Sequence, residues 1–371
     1  MDLELLTRIQ DDFPLVLRPY AEIGRKSGLS ETAVLEKLDG FLEDGRLRGI
    51  YAIIRGEKLG YKSTLVAAQV PDQLVEEIAV HVSAHPGVSH NYLRDYCYNL
   101  WFTLALPEEK EFSNVIEDLL RIGTGKVPEA VNNPGEDFEQ IPYIILPSLA
   151  TFKIRVQFDV SGASANSGAS AAAAGPVEPP AASAASSIPS SVPQKTDSQK
   201  ETDGKESGRS GRRNLTEKEK NVIRKVQAAV PPSPKPWKEI GDNLGIGEKE
   251  VLEIVKQLKQ NGIIRRISGI VRHRKVGYTA NAMTCFDVPD EKMEKAGPAA
   301  AAFSQVSHCY RRPRLPEWQY PLFAMIHAKN DADCRRTAAK IAETIACKDY
   351  IMLFSTKEFK KARVHYLTEE L

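Results

Sequence analysis

Near the N-terminus, apolar positions fall at helical spacing. Leu3, Leu6 and Ile9 mark a first helix, and Val34, Leu35 and Leu38 a third. Between them, PYAEIGRKSGLS reads as a helix, a glycine turn and an N-cap at Ser30. The third helix stops near Gly45, and residues 50–54 read as a wing strand. Beyond this winged helix-turn-helix pattern, alternating and helical stretches take turns. They predict strand 64–70, helix 72–84, strands 88–93 and 100–106, helix 109–122 and strand 143–146. That order, β-α-β-β-α-β, is ferredoxin-like.

The pattern then runs a second time. Pro19-Tyr20-Ala21-Glu22-Ile23-Gly24 returns as Pro236-Trp237-Lys238-Glu239-Ile240-Gly241. The same interval carries Val34-Leu35-Glu36 onto Val251-Leu252-Glu253, and Lys58-Leu59-Gly60-Tyr61 onto Lys275-Val276-Gly277-Tyr278. Val88-Ser89-His90 returns as Val306-Ser307-His308, Tyr143-Ile144-Ile145-Leu146 as Tyr350-Ile351-Met352-Leu353, and Phe152-Lys153 as Phe359-Lys360. Thr216 and Glu219 have capping-box spacing at the start of the second copy. Its ferredoxin-like elements are predicted at 281–286, 291–303, 306–311, 322–327, 332–344 and 350–354. The fold class is therefore α+β, a tandem duplication of a winged helix-turn-helix and a ferredoxin-like domain. Residues 161–213 are rich in Ala, Ser, Pro and Gly, then polar and charged. With so little apolar surface to bury they read as a flexible tether. The boundaries are 1–60 and 61–160 for the first copy, and 214–277 and 278–371 for the second.

Composition narrows the function. The 371 residues carry a net charge of +1, so no global field favours nucleic acid or an anionic membrane. No apolar run approaches the ~18 residues of a membrane span, and the acidic N-terminus is unlike a signal peptide. The five cysteines form no CxxC pair, which speaks against a zinc or iron–sulfur site and against a disulfide framework. A reducing cytoplasm is the expected compartment.

Chemistry-bearing residues gather in one hairpin of each copy. The first reads VSHNYLRDYCYNLWFTL over 88–104, and the second VSHCYRRPRLPEWQYPLFAMIH over 306–327. His90 coincides with His308, Tyr92 with Tyr310, Arg94 with Arg312 and Tyr98 with Tyr320. Arg311, Arg312 and Arg314 crowd the longer second hairpin. Arg94, Arg272, Lys275 and Lys360 are further cations, and Trp101, Phe102, Trp318, Tyr320 and Phe323 further aromatic surface. Such a set suits a large, flat polyanion, since guanidinium forks pair bidentately with carboxylates and aromatic faces line a flat ligand. Histidine suits proton transfer near neutral pH. The bland alternatives are packing for Trp101 and Cys309, and a simple strand end for His327.

A winged helix-turn-helix before a ferredoxin-like domain resembles the Lrp/AsnC regulators. The helix expected to read DNA opposes that function. It holds Glu31, Glu36, Asp39, Glu43 and Asp44 against Lys37, the wrong sign for phosphate. Its counterpart is balanced, with Glu248, Glu250 and Glu253 against Lys249, Lys256 and Lys259. The two hairpins together resemble the signature segments of the siroheme decarboxylases, and the resemblance covers nearly all of the chain outside 161–213. It implies an Lrp/AsnC-derived enzyme, normally two paired subunits, here fused end to end as an intramolecular pseudo-dimer. Siroheme would be the substrate, losing two acetate carboxyls to give 12,18-didecarboxysiroheme, and no separate cofactor is implied. His308, with His90 and Tyr310, becomes the candidate catalytic group, as proton donor or as iron ligand. Arg311, Arg312, Arg314, Arg94, Trp318, Tyr320, His327 and Trp101 become candidate substrate contacts. A tetrapyrrole-sensing transcriptional regulator is the alternative.

Overall fold

The computed structural model describes residues 2–10, 13–121, 141–154, 214–271 and 280–368. The tether read over 161–213 lies outside them, as do Arg272, His273 and Lys275 of the basic wing.

The first helical unit is α1 (Asp2–Gln10), α2 (Pro19–Ser27), α3 (Glu31–Glu43) and the wing strand β1 (Leu47–Ile54). The second is α6 (Glu217–Ala228), α7 (Pro236–Leu244), α8 (Glu248–Gln260) and β7 (Ile264–Val271). Proline opens α2 and α7, and left-handed Gly28 and Gly245 end them. The Ser30 side chain caps α3, and Thr216 and Glu219 form the capping box of α6. The repeated Ile-Gly pair has a steric cause. A Cβ on Gly24 would lie 2.5 Å from the Leu29 carbonyl oxygen, and one on Gly241 2.5 Å from that of Ile246. Only glycine lets the turn fold back so tightly onto its helix.

The two units share one hydrophobic core, although their sequences lie at 1–60 and 214–277. β1 pairs antiparallel with β7, α1 packs on β7, and α6 packs on β1. Each unit's first helix thus serves the other unit's wing. The Tyr20 hydroxyl donates to the Pro231 carbonyl at 2.8 Å, and Trp237 Nε1 donates to that of Val16 at 2.7 Å. On α3, Val34, Leu38 and Phe41 are buried while Glu36, Asp39 and Glu43 are exposed. The helix that would face DNA therefore presents an acidic stripe.

The ferredoxin-like elements form as expected. The first copy holds β2 (Tyr61–Ala68), α4 (Val75–Ala84), β3 (Val88–Arg94), β4 (Leu100–Pro107), α5 (Phe112–Leu120) and β5 (Tyr143–Pro147). The second holds β8 (Ala280–Phe286), α9 (Met293–Ala302), β9 (Val306–Arg311), β10 (Leu322–Ala328), α10 (Asp331–Thr344) and β11 (Tyr350–Lys361). Two strand segments exceed the expectation. β6 (Ala150–Ile154) follows β5, and β11 runs well past Phe354. Both reach into the other copy, β6 pairing with β9 and the end of β11 with β3. One continuous sheet of order β5-β2-β4-β3-β11-β8-β10-β9-β6 results. Lysines fix the exchanged strands. Lys153 Nζ donates to the Phe303 carbonyl at 2.8 Å, and Lys360 Nζ to those of Ser83 and His85 at 2.7 and 2.9 Å. All three carbonyls lie at a helix C-terminus, where a cation is favoured.

One sheet face packs under α4 and α5 in the first copy and under α9 and α10 in the second. The opposite faces meet each other. Leu65, Ala67, Trp101, Ile144 and Leu146 join Met283, Cys285, Trp318, Phe323 and Leu353 in a core shared by the two copies. The strands are apolar on both faces for that reason.

Candidate active site

The period of two along a strand sets the site. His90, Tyr92 and Arg94 share one face of β3, and His308, Tyr310 and Arg312 take the matching face at β9. The rings stack in both copies, His90 on Tyr92 and His308 on Tyr310, each at 6.1 Å between centroids. Arg94 lies over Tyr92 at 5.4 Å, and Arg312 over Tyr310 at 5.2 Å. The duplicated hairpin motif is thus a duplicated His–Tyr–Arg ladder.

Each arginine crosses to the other copy. Arg94 Nη1 donates to the Leu353 carbonyl at 2.8 Å, and Arg312 Nη1 donates to that of Leu146. Both guanidiniums are buried, and the Nε–H of each lacks an acceptor. Burial pulls both down to about 10, so both remain charged at neutral pH. No carboxylate pairs with either among the described residues. A buried cation without a counter-ion is costly to keep, and an anionic ligand would relieve that cost.

The histidines are half-buried and linked through serines. Ser307 Oγ stands 2.9 Å from His308 Nδ1 and 2.8 Å from His327 Nε2. Ser89 Oγ stands 3.0 Å from His90 Nδ1 and 2.5 Å from Thr103 Oγ1. Nδ1 is therefore engaged in both histidines, and Nε2 is left for other chemistry. Burial pushes His90 down to about 4, with Lys361, His308, Arg48 and Arg94 adding positive charge nearby. Burial likewise pushes His308 down to about 4, assisted by Arg265 and Lys361. Both imidazoles are neutral at pH 7.

Other candidates take different places. Arg311 binds Asp290 at 3.0 Å, and Arg314 binds Asp287 at 2.7 Å and the Gln319 carbonyl at 2.6 Å. The Arg-rich element does not act as a block. Strand alternation sends Arg311 and Arg312 to opposite sides, so Arg312 enters the inter-copy core while its neighbours pair with surface acids. Trp101 and Trp318 are buried to 1% and meet at 5.3 Å, with Tyr98, Tyr320 and Phe323 packed around Trp318. The two tryptophans pack on each other between the copies and offer no open wall. Tyr320 reaches Asp349 at 3.5 Å. Phe102 faces the helices, Lys360 holds α4, and Cys309 is a buried thiol that burial pushes up to about 12. A cavity of about 130 Å³ lies beside β1, with Arg48 in its lining, and one of about 330 Å³ lies on the outer side of α4.

The hairpins alone conceal several groups near the histidines. Ser89 and Ser307 lie within the repeated Val-Ser-His, and Arg48 and Arg265 occupy equivalent positions on the two wings. Repeat spacing was the signal for all four. Lys361 and Arg363 sit at and just beyond the end of the exchanged strand. Among the described residues, no cluster of His, Cys, Asp and Glu could hold a metal ion.

Fold and site together define an AsnC-like ligand-handling protein whose helices in the DNA-facing position are acidic in one copy and balanced in the other. Residues 58–153 and 275–360 match the AsnC-like ligand binding domain, and residues 2–48 and 219–265 match the siroheme decarboxylase NirDL-like HTH domain. A siroheme decarboxylase of Hydrogenobacter thermophilus is 35% identical over 367 residues, covering 99% of this chain and 95% of that protein. A siroheme decarboxylase beta subunit of Methanosarcina barkeri is 43% identical over 143 residues, 38% of this chain and 94% of that protein. The crystal structure of the siroheme decarboxylase NirDL in co-complex with an iron-uroporphyrin III analogue superposes with a TM-score of 0.67 at 30% identity, covering 100% of this chain and 96% of that one. This chain belongs to the siroheme decarboxylase family.

Proposed function

We propose that this chain is a carbon–carbon lyase that removes the carboxyl groups of two acetate arms of siroheme, releasing carbon dioxide and leaving methyl groups, in haem biosynthesis. One observation carries the reading. Two buried arginines without carboxylate partners among the described residues, Arg94 and Arg312, share a face with a duplicated His–Tyr pair. That combination suits a polycarboxylate whose carbon must be protonated.

The chemistry follows from these groups. The bond between the arm's methylene carbon and its carboxylate breaks, and the electron pair passes into the conjugated macrocycle. Carbon dioxide leaves, and the carbon takes a proton. No group beyond the tetrapyrrole itself is required as an electron sink. Burial is the main cause of the low His308 pKa, and the bound polyanion offsets the added push of Arg265 and Lys361, raising it toward the range useful for a general acid. His308 then donates from Nε2, and the link through Ser307 to His327 leads away from the site to a second imidazole. His90 has Thr103 in that place, so the second copy holds the better-supplied donor. The two halves act as a pseudo-dimer in one chain, as the separate beta subunit of Methanosarcina barkeri suggests.

The test is anaerobic incubation of the purified chain with siroheme, followed by mass spectrometry of the tetrapyrrole. Loss of two carbon dioxide units is expected. His308→Ala should lower kcat by roughly a hundredfold or more, the scale of a general acid. Ser307→Ala should slow turnover more than Ser89→Ala. An unchanged tetrapyrrole mass with the wild-type chain would sink the reading, and wild-type turnover by His308→Ala would remove His308 from its role.

A further inference from the structure

The helical units do more than join the two copies. Arg48 stands on wing strand β1 and Arg265 on wing strand β7, in equivalent positions of the repeat. Arg48 Nη1 donates to the Lys361 carbonyl at 3.2 Å, and Lys361 is the residue opposite His90 in the sheet. Arg265 Nη2 donates to the Ile154 carbonyl at 2.9 Å, and Ile154 is the residue opposite His308. Each wing therefore delivers one guanidinium to the exchanged strand directly beside one histidine. Both arginines are half-buried. Neither has a carboxylate partner among the described residues, although each keeps further N–H groups beyond its single carbonyl bond. Duplication makes this arrangement a repeated construction, since both the arginine and its backbone acceptor recur.

The spacing of the pair is informative. β1 and β7 form an antiparallel ribbon in which Leu47 lies opposite Val271 and Ile54 opposite Ile264. Arg48 and Arg265 thus stand near opposite ends, roughly 18 Å apart along the ribbon at about 3.3 Å per residue. A tetrapyrrole with extended acid arms covers a comparable distance. Its carboxylates are distributed around the rim, so a ring lying under the ribbon would meet a cation at each end. Arginine is the suited residue, because its planar fork takes a carboxylate with two parallel hydrogen bonds.

We propose that Arg48 and Arg265 are the anchoring residues for the substrate, gripping carboxylates on opposite edges of a single tetrapyrrole and holding it against His90 and His308. The wings, with no basic reading helix beside them, serve as the roof of the site. The assignment rests on the siroheme reading above.

Titration of the full chain with iron uroporphyrin III, followed by its absorbance, tests the assignment without relying on turnover. One ring per chain is expected. Arg48→Ala and Arg265→Ala should each weaken binding roughly ten- to hundredfold, the scale of one charge-assisted pair. Iron coproporphyrin III, which lacks the acetate arms, should bind the wild-type chain more weakly and show a smaller penalty in both variants. Arg48→Lys and Arg265→Lys keep the charge and the carbonyl bond, and should recover part of the affinity even where an alanine variant fails to fold. Wild-type affinity in both alanine variants, or in both lysine variants where the alanines do not fold, would overturn the assignment. Two rings per chain would overturn the single-ring grip. Tight uroporphyrin binding by a chain that leaves siroheme unaltered would instead remove the decarboxylase reading and leave the anchors in place.

Discussion

Burial holds the pKa values of His90 and His308 low, and the cations around them add to the effect. Lys361, Arg48 and Arg94 face the first, and Arg265 and Lys361 the second. Both imidazoles are held near 4, against an ordinary value of 6.5. Between those two values the unfolded chain binds protons that the folded one refuses. Stability therefore falls as pH drops from 6.5 toward 4. A bound polycarboxylate offsets the cationic part of both shifts and raises the pKa values from there, so binding draws protons from solution. Calorimetric titration with iron uroporphyrin III near pH 6, in buffers of different ionisation enthalpy, should report net proton uptake. His308→Gln should reduce that uptake. Proton release, or none exchanged, would contradict the coupling. Histidine and arginine identities were legible in the hairpins. Their charge states were not, because these depend on which carboxylates come near.

The exchanged strands are the least visible elements in the sequence. Alternation fades after Leu146 and again after Phe354, where Ser355, Lys357 and Glu358 leave little apolar signal. These segments lie partly exposed where one copy crosses to the other, so they carry no buried face for a period to report. Their one trace was the recurrence of Phe152-Lys153 as Phe359-Lys360. Three of these residues have a visible task, since Lys153 and Lys360 hold helix ends and the Phe152 ring packs against Gly297 of α9. A Cβ at Gly297 would come within 2.3 Å of the Phe152 ring. Gly297→Ala should cost about 1–3 kcal/mol by overpacking, and Phe152→Leu in the same chain should recover part of it. Urea unfolding of the two single variants and the double variant measures the coupling. Simple additivity would argue that β6 does not seat on α9 as described.

At the scale of the molecule, neither copy is complete. The helical units share one core, the sheet runs through both copies, and Arg94 and Arg312 each bond to the other copy. Segments 1–160 and 214–371, expressed together with a tag on one alone, should therefore purify as an equimolar complex that retains tetrapyrrole turnover. A tagged segment that elutes alone, monomeric and cooperatively folded, would count against that interdependence. The sequence by itself determined the helices and all strands but the exchanged segments, the duplication, the acidic reading helix and the His–Tyr–Arg spacing that puts three side chains on one strand face. All of these follow from local backbone periods and from repeat spacing, which need no knowledge of distant segments. Only the tertiary structure decided which sheet edge each strand joined. That choice sent Arg312 into the shared core and left Arg311 and Arg314 with Asp290 and Asp287. It also brought the wing arginines to the histidines. Strand partners and ion pairs are settled by burial and charge across the whole chain, which no local pattern encodes.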